Sequence, residues 1–170
     1  HTGRATVPVL WDKRRRTIVN NESADILRML NDGFGALATG EPDLYPADLR
    51  PEVDTLNAAI YPALNNGVYR AGFATTQIAY DEAVAGVFAS LDTLEERLTA
   101  GGPFLTGARF TEADIRLFVT LVRFDAAYHG IFKCNLRQLA DYPRLDAYLR
   151  RVLAVPGVRE TVSLDHIKRG

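Results

Sequence analysis

Residues 104–115 read Phe104-Leu105-Thr106-Gly107-Ala108-Arg109-Phe110-Thr111-Glu112-Ala113-Asp114-Ile115. Thr111 and Asp114 stand three apart ahead of an apolar run, the spacing of a capping box with aspartate in place of the usual glutamate. The hydroxyl is expected to accept from the third helical N–H, and the carboxylate to reach back to the cap. The helix opened there is predicted to run from Ile115 to about Tyr128. Ile115, Leu117, Phe118, Val119, Leu121, Val122 and Phe124 leave it almost no polar face. Such a helix belongs at the buried centre of a bundle.

The flanking sequence supplies the partners. Upstream, Tyr80, Val84, Val87, Leu91, Leu94 and Leu98 recur at alternating steps of four and three, and Gly101-Gly102-Pro103 ends the run. Before it, Pro51 suits the first turn of a helix, where its missing N–H costs nothing. That helix is predicted to reach about Gly72, with a kink or break at Pro62. Downstream, a short polar helix is expected near 135–140. Tyr142-Pro143 then leads into Leu145, Tyr148, Leu149, Val152 and Leu153, and Pro156-Gly157 stops it. From residue 51 to 170 the chain reads as helices only.

The first third differs. Thr6-Val7-Pro8-Val9-Leu10-Trp11 and Thr17-Ile18-Val19 flank a polar turn, which predicts a β-hairpin. Pro8 removes a ladder donor, so it belongs at an edge, at a bulge, or beside a ligand that uses the neighbouring backbone. Polar residues Asn20 to Asp25 then precede Ile26, Leu27, Met29 and Leu30. A helix is predicted from about Ser23 to Gly33–Gly35. Residues 35–50, with two glycines and two prolines, read as a linker. The expected architecture is therefore an α/β piece at 1–34, a linker at 35–50 and an all-α domain at 51–170.

Composition narrows the function. Of 170 residues, 47% are apolar and 24% charged, enough to bury a core, and the net charge of −1 points to no nucleic-acid or acidic-membrane partner. The cluster Lys13-Arg14-Arg15-Arg16 lies between two apolar runs and reads as a solvated turn. A single cysteine, Cys134, excludes an internal disulfide and fits a reducing compartment. No apolar run approaches the roughly 20 residues that span a bilayer. The opening His1-Thr2-Gly3-Arg4 has no leader pattern and runs straight into an extended segment, so a preceding part of the fold is expected. His1, His129 and His166 have no ligand spacing, so no metal site is expected. By type, Cys134 is a candidate nucleophile. By position, deep in the helical part, it reads as a buried structural thiol.

Taken together, these residues resemble the glutathione transferases. Val7-Pro8, a hairpin strand, Glu22-Ser23 at a helix start and then an all-helical domain is similar to that family's layout, and 105–115 looks like its capping box and hydrophobic staple. Two longer stretches are similar to signatures of the glutathionyl-hydroquinone reductases, or Xi class. These are Asn65-Asn66-Gly67-Val68-Tyr69-Arg70-Ala71-Gly72-Phe73-Ala74, and Arg123-Phe124-Asp125 with Tyr128-His129 and Phe132-Lys133-Cys134-Asn135.

The resemblance implies a partial thioredoxin-like domain packed against a helical bundle. It implies that glutathione, as co-substrate, lies along the backbone at Val7 and Pro8, its γ-glutamyl head held by Ser23 and Glu22. It also implies that Tyr69 and Tyr128, across a groove, hydrogen-bond the quinol oxygens, with Arg70 and His129 as second-rank candidates. Read without the motif, either tyrosine is a half-buried core residue, as Tyr61, Tyr80, Tyr142 and Tyr148 are taken to be. The family's catalytic cysteine belongs to a Cys-Pro-Trp type motif, which 1–170 does not contain, so it is expected upstream. The implied activity is glutathione-dependent reduction of glutathionyl-hydroquinones by a cytoplasmic homodimer. Two other readings stay open: a non-catalytic interaction module, and a transferase that conjugates glutathione to electrophiles.

Overall fold

A computed structural model describes residues 7–37, 42–99 and 101–169. The chain divides into two compact units, His1–Pro46 and Ala47–Gly170. The division falls inside the segment 35–50, of which residues 38–41 lie outside the described residues, as does Thr6.

The first unit holds a two-stranded antiparallel hairpin, β1 (Leu10–Asp12) and β2 (Thr17–Asn20), followed by helix α1 (Ser23–Asp32). β1 starts later than the predicted 6–11, whereas β2 begins at Thr17 as predicted and runs one residue further. Pairing begins only at Leu10↔Asn20, and the register breaks between Leu10 and Trp11. Val7 to Val9 therefore precede the ladder rather than joining it. In the turn, Asp12 Oδ1 accepts from the N–H groups of Arg14 and Arg15, each at 2.8 Å. The basic cluster is exposed around this Asx-type turn, as expected. A short 3₁₀ turn, Gly35–Leu37, follows α1.

The second unit is helical: α2 (Arg50–Ile60), α3 (Gly67–Gly72), α4 (Gln77–Arg97), α5 (Glu112–Arg123), α6 (His129–Ile131), α7 (Pro143–Leu153) and α8 (Leu164–Arg169). The break expected at Pro62 is a π-helical turn, Tyr61–Asn65, where the Asn66 N–H reaches back to the Tyr61 carbonyl at 2.9 Å. Proline cannot donate, and a widened turn accommodates the gap. A second π turn, Phe124–Tyr128, prolongs α5 into α6. In place of a helix over 135–140 there is only a 3₁₀ turn, Leu139–Asp141, opened by its own capping box at Gln138 and Asp141.

The core forms where α2 to α5 and α7 meet. It is built from Val53, Ile60, Leu64, Val68, Val87, Leu91, Leu117, Leu121, Phe124, Leu145, Tyr148 and Val152. Helix α5 is central as predicted, except that Val119 is 41% exposed. Gly67 lets α3 approach α4, since a Cβ there would lie 2.9 Å from Val87 Cγ2. The Asn65 amide donates to the Arg116 carbonyl at 2.9 Å and to Thr120 Oγ1 at 2.6 Å, fastening the first π turn to α5. Glu95 of α4 caps α7 by accepting from the N–H groups of Arg144 and Leu145, at 2.9 and 2.8 Å.

The capping box at the start of α5 is buried. Asp114 Oδ2 accepts the Thr111 N–H at 2.8 Å and also the Thr111 hydroxyl at 3.1 Å. Its Oδ1 accepts the Leu105 N–H at 2.9 Å and the Tyr148 hydroxyl at 2.8 Å. Burial raises the Asp114 pKa, and these four donors oppose that rise. Replacing Asp114 by alanine leaves the buried Leu105 and Thr111 N–H groups and the Tyr148 hydroxyl without their acceptor. We expect Asp114→Ala to cost about 3–5 kcal/mol in urea unfolding. A loss below 1 kcal/mol would show that the box is not structural.

Candidate functional site

Each candidate tyrosine lies at the end of a π turn or just beyond one. Tyr69 lies in α3, just beyond Tyr61–Asn65, and Tyr128 closes the turn Phe124–Tyr128. Their hydroxyls meet at 3.2 Å. The pair spans the surface: Tyr69 is 46% exposed and Tyr128 only 6%. Burial, then the hydrogen bond and the charge of Tyr69, push the Tyr128 phenol well above its ordinary pKa, while Arg123 acts the other way. Burial thus favours the neutral Tyr128 phenol, and either hydroxyl of the pair can be the donor.

Around the phenols stand two phenylalanines. Phe73 and Phe132 follow Tyr69 and Tyr128 by four residues each, one helical turn on, so each shares a face with its tyrosine. Tyr128 and Phe132 stack at 5.3 Å between ring centroids, and Tyr69 and Phe73 at 6.4 Å. Tyr69 meets Phe132 edge-on at 5.2 Å and Tyr128 edge-on at 5.7 Å. The four rings form one cluster with two adjacent hydroxyls and a flat apolar border. Two neighbouring phenols can clasp one oxygen or a pair of oxygens, and the border suits an aromatic ring. The two phenylalanines were quoted within the sequence motifs but carried no role there. The repeated Tyr-x-x-x-Phe spacing was the available signal.

Other candidates sit elsewhere. Arg70 turns towards α4, where it pairs with Glu82 at 3.4 Å between well-exposed side chains. Among the described residues no hydrogen bond or ion pair joins it to the phenol hydroxyls. His129 is half-buried. Of the four tyrosines read as core, Tyr142 and Tyr148 are buried, Tyr80 is half-buried and Tyr61 is exposed.

In the first unit, the Val7-Pro8 peptide is cis and Val7 is 91% exposed. Glu22 and Ser23, at the start of α1, are both exposed. The Asn20 side chain organises this start: its carbonyl accepts the Glu22 N–H at 2.7 Å, and its amide donates to Asp25 at 3.0 Å. No side-chain hydrogen bond caps the helix, and among the described residues none engages the Ser23 hydroxyl. Free N–H groups at a helix start favour an anionic group.

Residues 77–151 match the model of the glutathione S-transferase C-terminal domain. The glutathionyl-hydroquinone reductase PcpF of Sphingobium chlorophenolicum is 55% identical over 168 residues, which are 99% of this chain and 53% of that protein. The chain belongs to the glutathione transferase superfamily. It is homologous to the superfamily's Xi class. The glutathione-bound structure of YqjG from Escherichia coli superposes with a TM-score of 0.93 at 54% identity, over 98% of this chain and 54% of that one. Glutathione transferase Xi 1 of Trametes versicolor gives a TM-score of 0.94 at 48% identity, over 99% and 59%. The chain spans about half the length of the relatives it matches. No helix is long and apolar enough to cross a membrane, and no group of three or more potential ligands could hold a metal, both among the described residues.

Cys134 lacks the surroundings of a reactive thiol. It is fully buried, and burial pushes its thiol up to about 11. A reactive thiol needs the opposite shift. Iodoacetamide at pH 8 should leave Cys134 unmodified in the native chain and alkylate it fully in urea, as read by mass spectrometry. Fast labelling of the native thiol would contradict this placement.

Proposed function

We propose that the whole protein reduces glutathionyl-hydroquinones to hydroquinones at the expense of glutathione. The paired phenols of Tyr69 and Tyr128 carry this reading, because they present two adjacent hydroxyls at the rim of an apolar aromatic border. A quinol offers two oxygens on a flat ring, the chemistry this surface fits.

Glutathione is bound in the first unit. The backbone at Val7, ahead of Pro8, pairs with the extended tripeptide as a further strand would. Ser23 donates to the γ-glutamyl carboxylate at the start of α1, and Glu22 accepts from its ammonium group. Tyr69 and Tyr128 hold the hydroquinone oxygens, and Arg70 is the cation nearest to Tyr69 in sequence.

In the resembled scheme, a cysteine thiolate attacks the thioether sulfur. The sulfur-bearing ring carbon first takes a proton as a ring hydroxyl loses one, leaving a carbonyl. The carbon–sulfur bond then breaks as the sulfur–sulfur bond forms, and its electron pair restores the aromatic ring, moving the carbonyl π pair onto oxygen, where the two phenols donate. Protonation of that oxygen releases hydroquinone. A second glutathione thiolate displaces the first from the mixed disulfide, giving glutathione disulfide and restoring the cysteine. Cys134 has no part in these steps. Such an exchange belongs in the cytoplasm, where glutathione is kept reduced, and we propose a homodimer there.

The full-length protein should convert glutathionyl-menadiol to menadiol with one glutathione disulfide formed per turnover. The present 170-residue chain alone should show none. Tyr128→Phe should lower kcat by on the order of 10²-fold, as loss of one preorganised donor does. Full turnover by a variant carrying both Tyr69→Phe and Tyr128→Phe would overturn the reading. A protein that binds glutathione but leaves the thioether intact would instead be an interaction module or a conjugating transferase.

A further inference from the structure

Gly72 and Tyr80 have no part in the proposed chemistry, yet both meet the segment that carries Phe132. A Cβ placed on Gly72 would lie 2.4 Å from Phe132 Cγ, 2.5 Å from Cδ1 and 2.9 Å from Cβ. Ring rotation alone cannot relieve an overlap that includes Cγ and Cβ, so the backbone at 132 would have to move. That backbone is held on both sides. The Phe132 and Cys134 N–H groups donate to the Tyr128 carbonyl at 3.2 and 3.1 Å. The Tyr80 hydroxyl, from α4, donates to the Lys133 carbonyl at 2.6 Å.

Lys133 itself has φ of 58°, a conformation that favours glycine. A non-glycine residue stays there only where neighbouring contacts impose it. The Tyr80 bond and the fully buried Cys134 are two such contacts. Phe132 then touches all three other rings: Tyr69 at 5.2 Å, Tyr128 at 5.3 Å and Phe73 at 5.4 Å.

We propose that Gly72 and Tyr80 are positioning residues for the phenol pair, acting through Phe132. The glycine provides the recess that receives the ring, and the tyrosine fixes the backbone that carries it. As a claim about catalysis, this rests on the reading of Tyr69 and Tyr128 as quinol-binding groups. As a claim about packing, it stands without that reading.

A double-mutant cycle in the full-length protein separates the two. Its variants are Gly72→Ala, Phe132→Ala and the pair together, and glutathionyl-menadiol is the substrate. Alanine is the better helix former, so Gly72→Ala carries no helical penalty. It should lower kcat/KM by on the order of 10²-fold through displaced phenols. In the Phe132→Ala background the same change should have almost no further effect.

Tyr80→Phe removes one hydroxyl only and should cost about tenfold. That loss should fall mainly in kcat, with the melting temperature little changed. Near-ultraviolet circular dichroism provides a readout that needs no turnover. Gly72→Ala should change the aromatic signal as Phe132→Ala does, with far-ultraviolet signal retained and the same non-additivity. If the wild type proves inactive on glutathionyl-menadiol, that signal still decides the packing claim. An unaltered aromatic spectrum in Gly72→Ala, or additive effects in the cycle, would overturn the proposal.

Discussion

The Asp114 carboxylate accepts four hydrogen bonds at the buried start of α5, two from backbone N–H groups and two from hydroxyls. Those donors come from the loop ahead of the helix, from the cap residue and from Tyr148 on α7. One side chain thus ties three pieces of the bundle together. In water a carboxylate is well solvated, so its burial is tolerable only because every donor is in place. Once the start of α5 is fixed, so is its far end, and there the chain delivers Tyr128 and Phe132. The site depends on this anchor, although it lies a whole helix away.

Between anchor and site the helix does not stay regular. The turn Phe124–Tyr128 widens to a π turn, and a second one, Tyr61–Asn65, precedes Tyr69. Each shifts the helical phase by a fraction of a turn, re-aiming the residues that follow. Asn65 bonds the first π turn to α5, so the two irregular turns belong to one packed unit. Each phenol and the phenylalanine one turn beyond it then form half of a four-ring cluster. Interdigitated rings resist small displacements, and so the hydroxyls are held for the work proposed for them.

Much of this could be read in the sequence, for identifiable reasons. The capping box was legible because Thr111 and Asp114 bond locally, through a spacing that tertiary structure does not alter. The central helix, the long α4 and the break at Pro62 followed from periodicity and from proline's missing donor. Short elements were less legible. Residues 135–140 carry polar side chains and a capping box at Gln138, but their helix stops after one 3₁₀ turn, because Pro143 starts a new one. The turn Arg159–Thr161 and helix α8 bury nothing, so no apolar stripe announced them. The first strand starts late, and the ladder slips at Leu10–Trp11, a pairing irregularity that alternation does not encode. Within the site, the motifs named Tyr69 and Tyr128, but not that their hydroxyls would touch. Arg70 was named beside them, yet its helical phase turns it to Glu82.

The account's central claim is that the two phenols together receive a quinol oxygen. A crystal structure of the full-length protein with menadiol bound tests it most directly. The account predicts both hydroxyls within about 3 Å of ligand oxygen, and the ligand ring lying along Phe73 and Phe132. Menadiol seated elsewhere, with the Tyr69–Tyr128 hydrogen bond intact and unengaged, would contradict it.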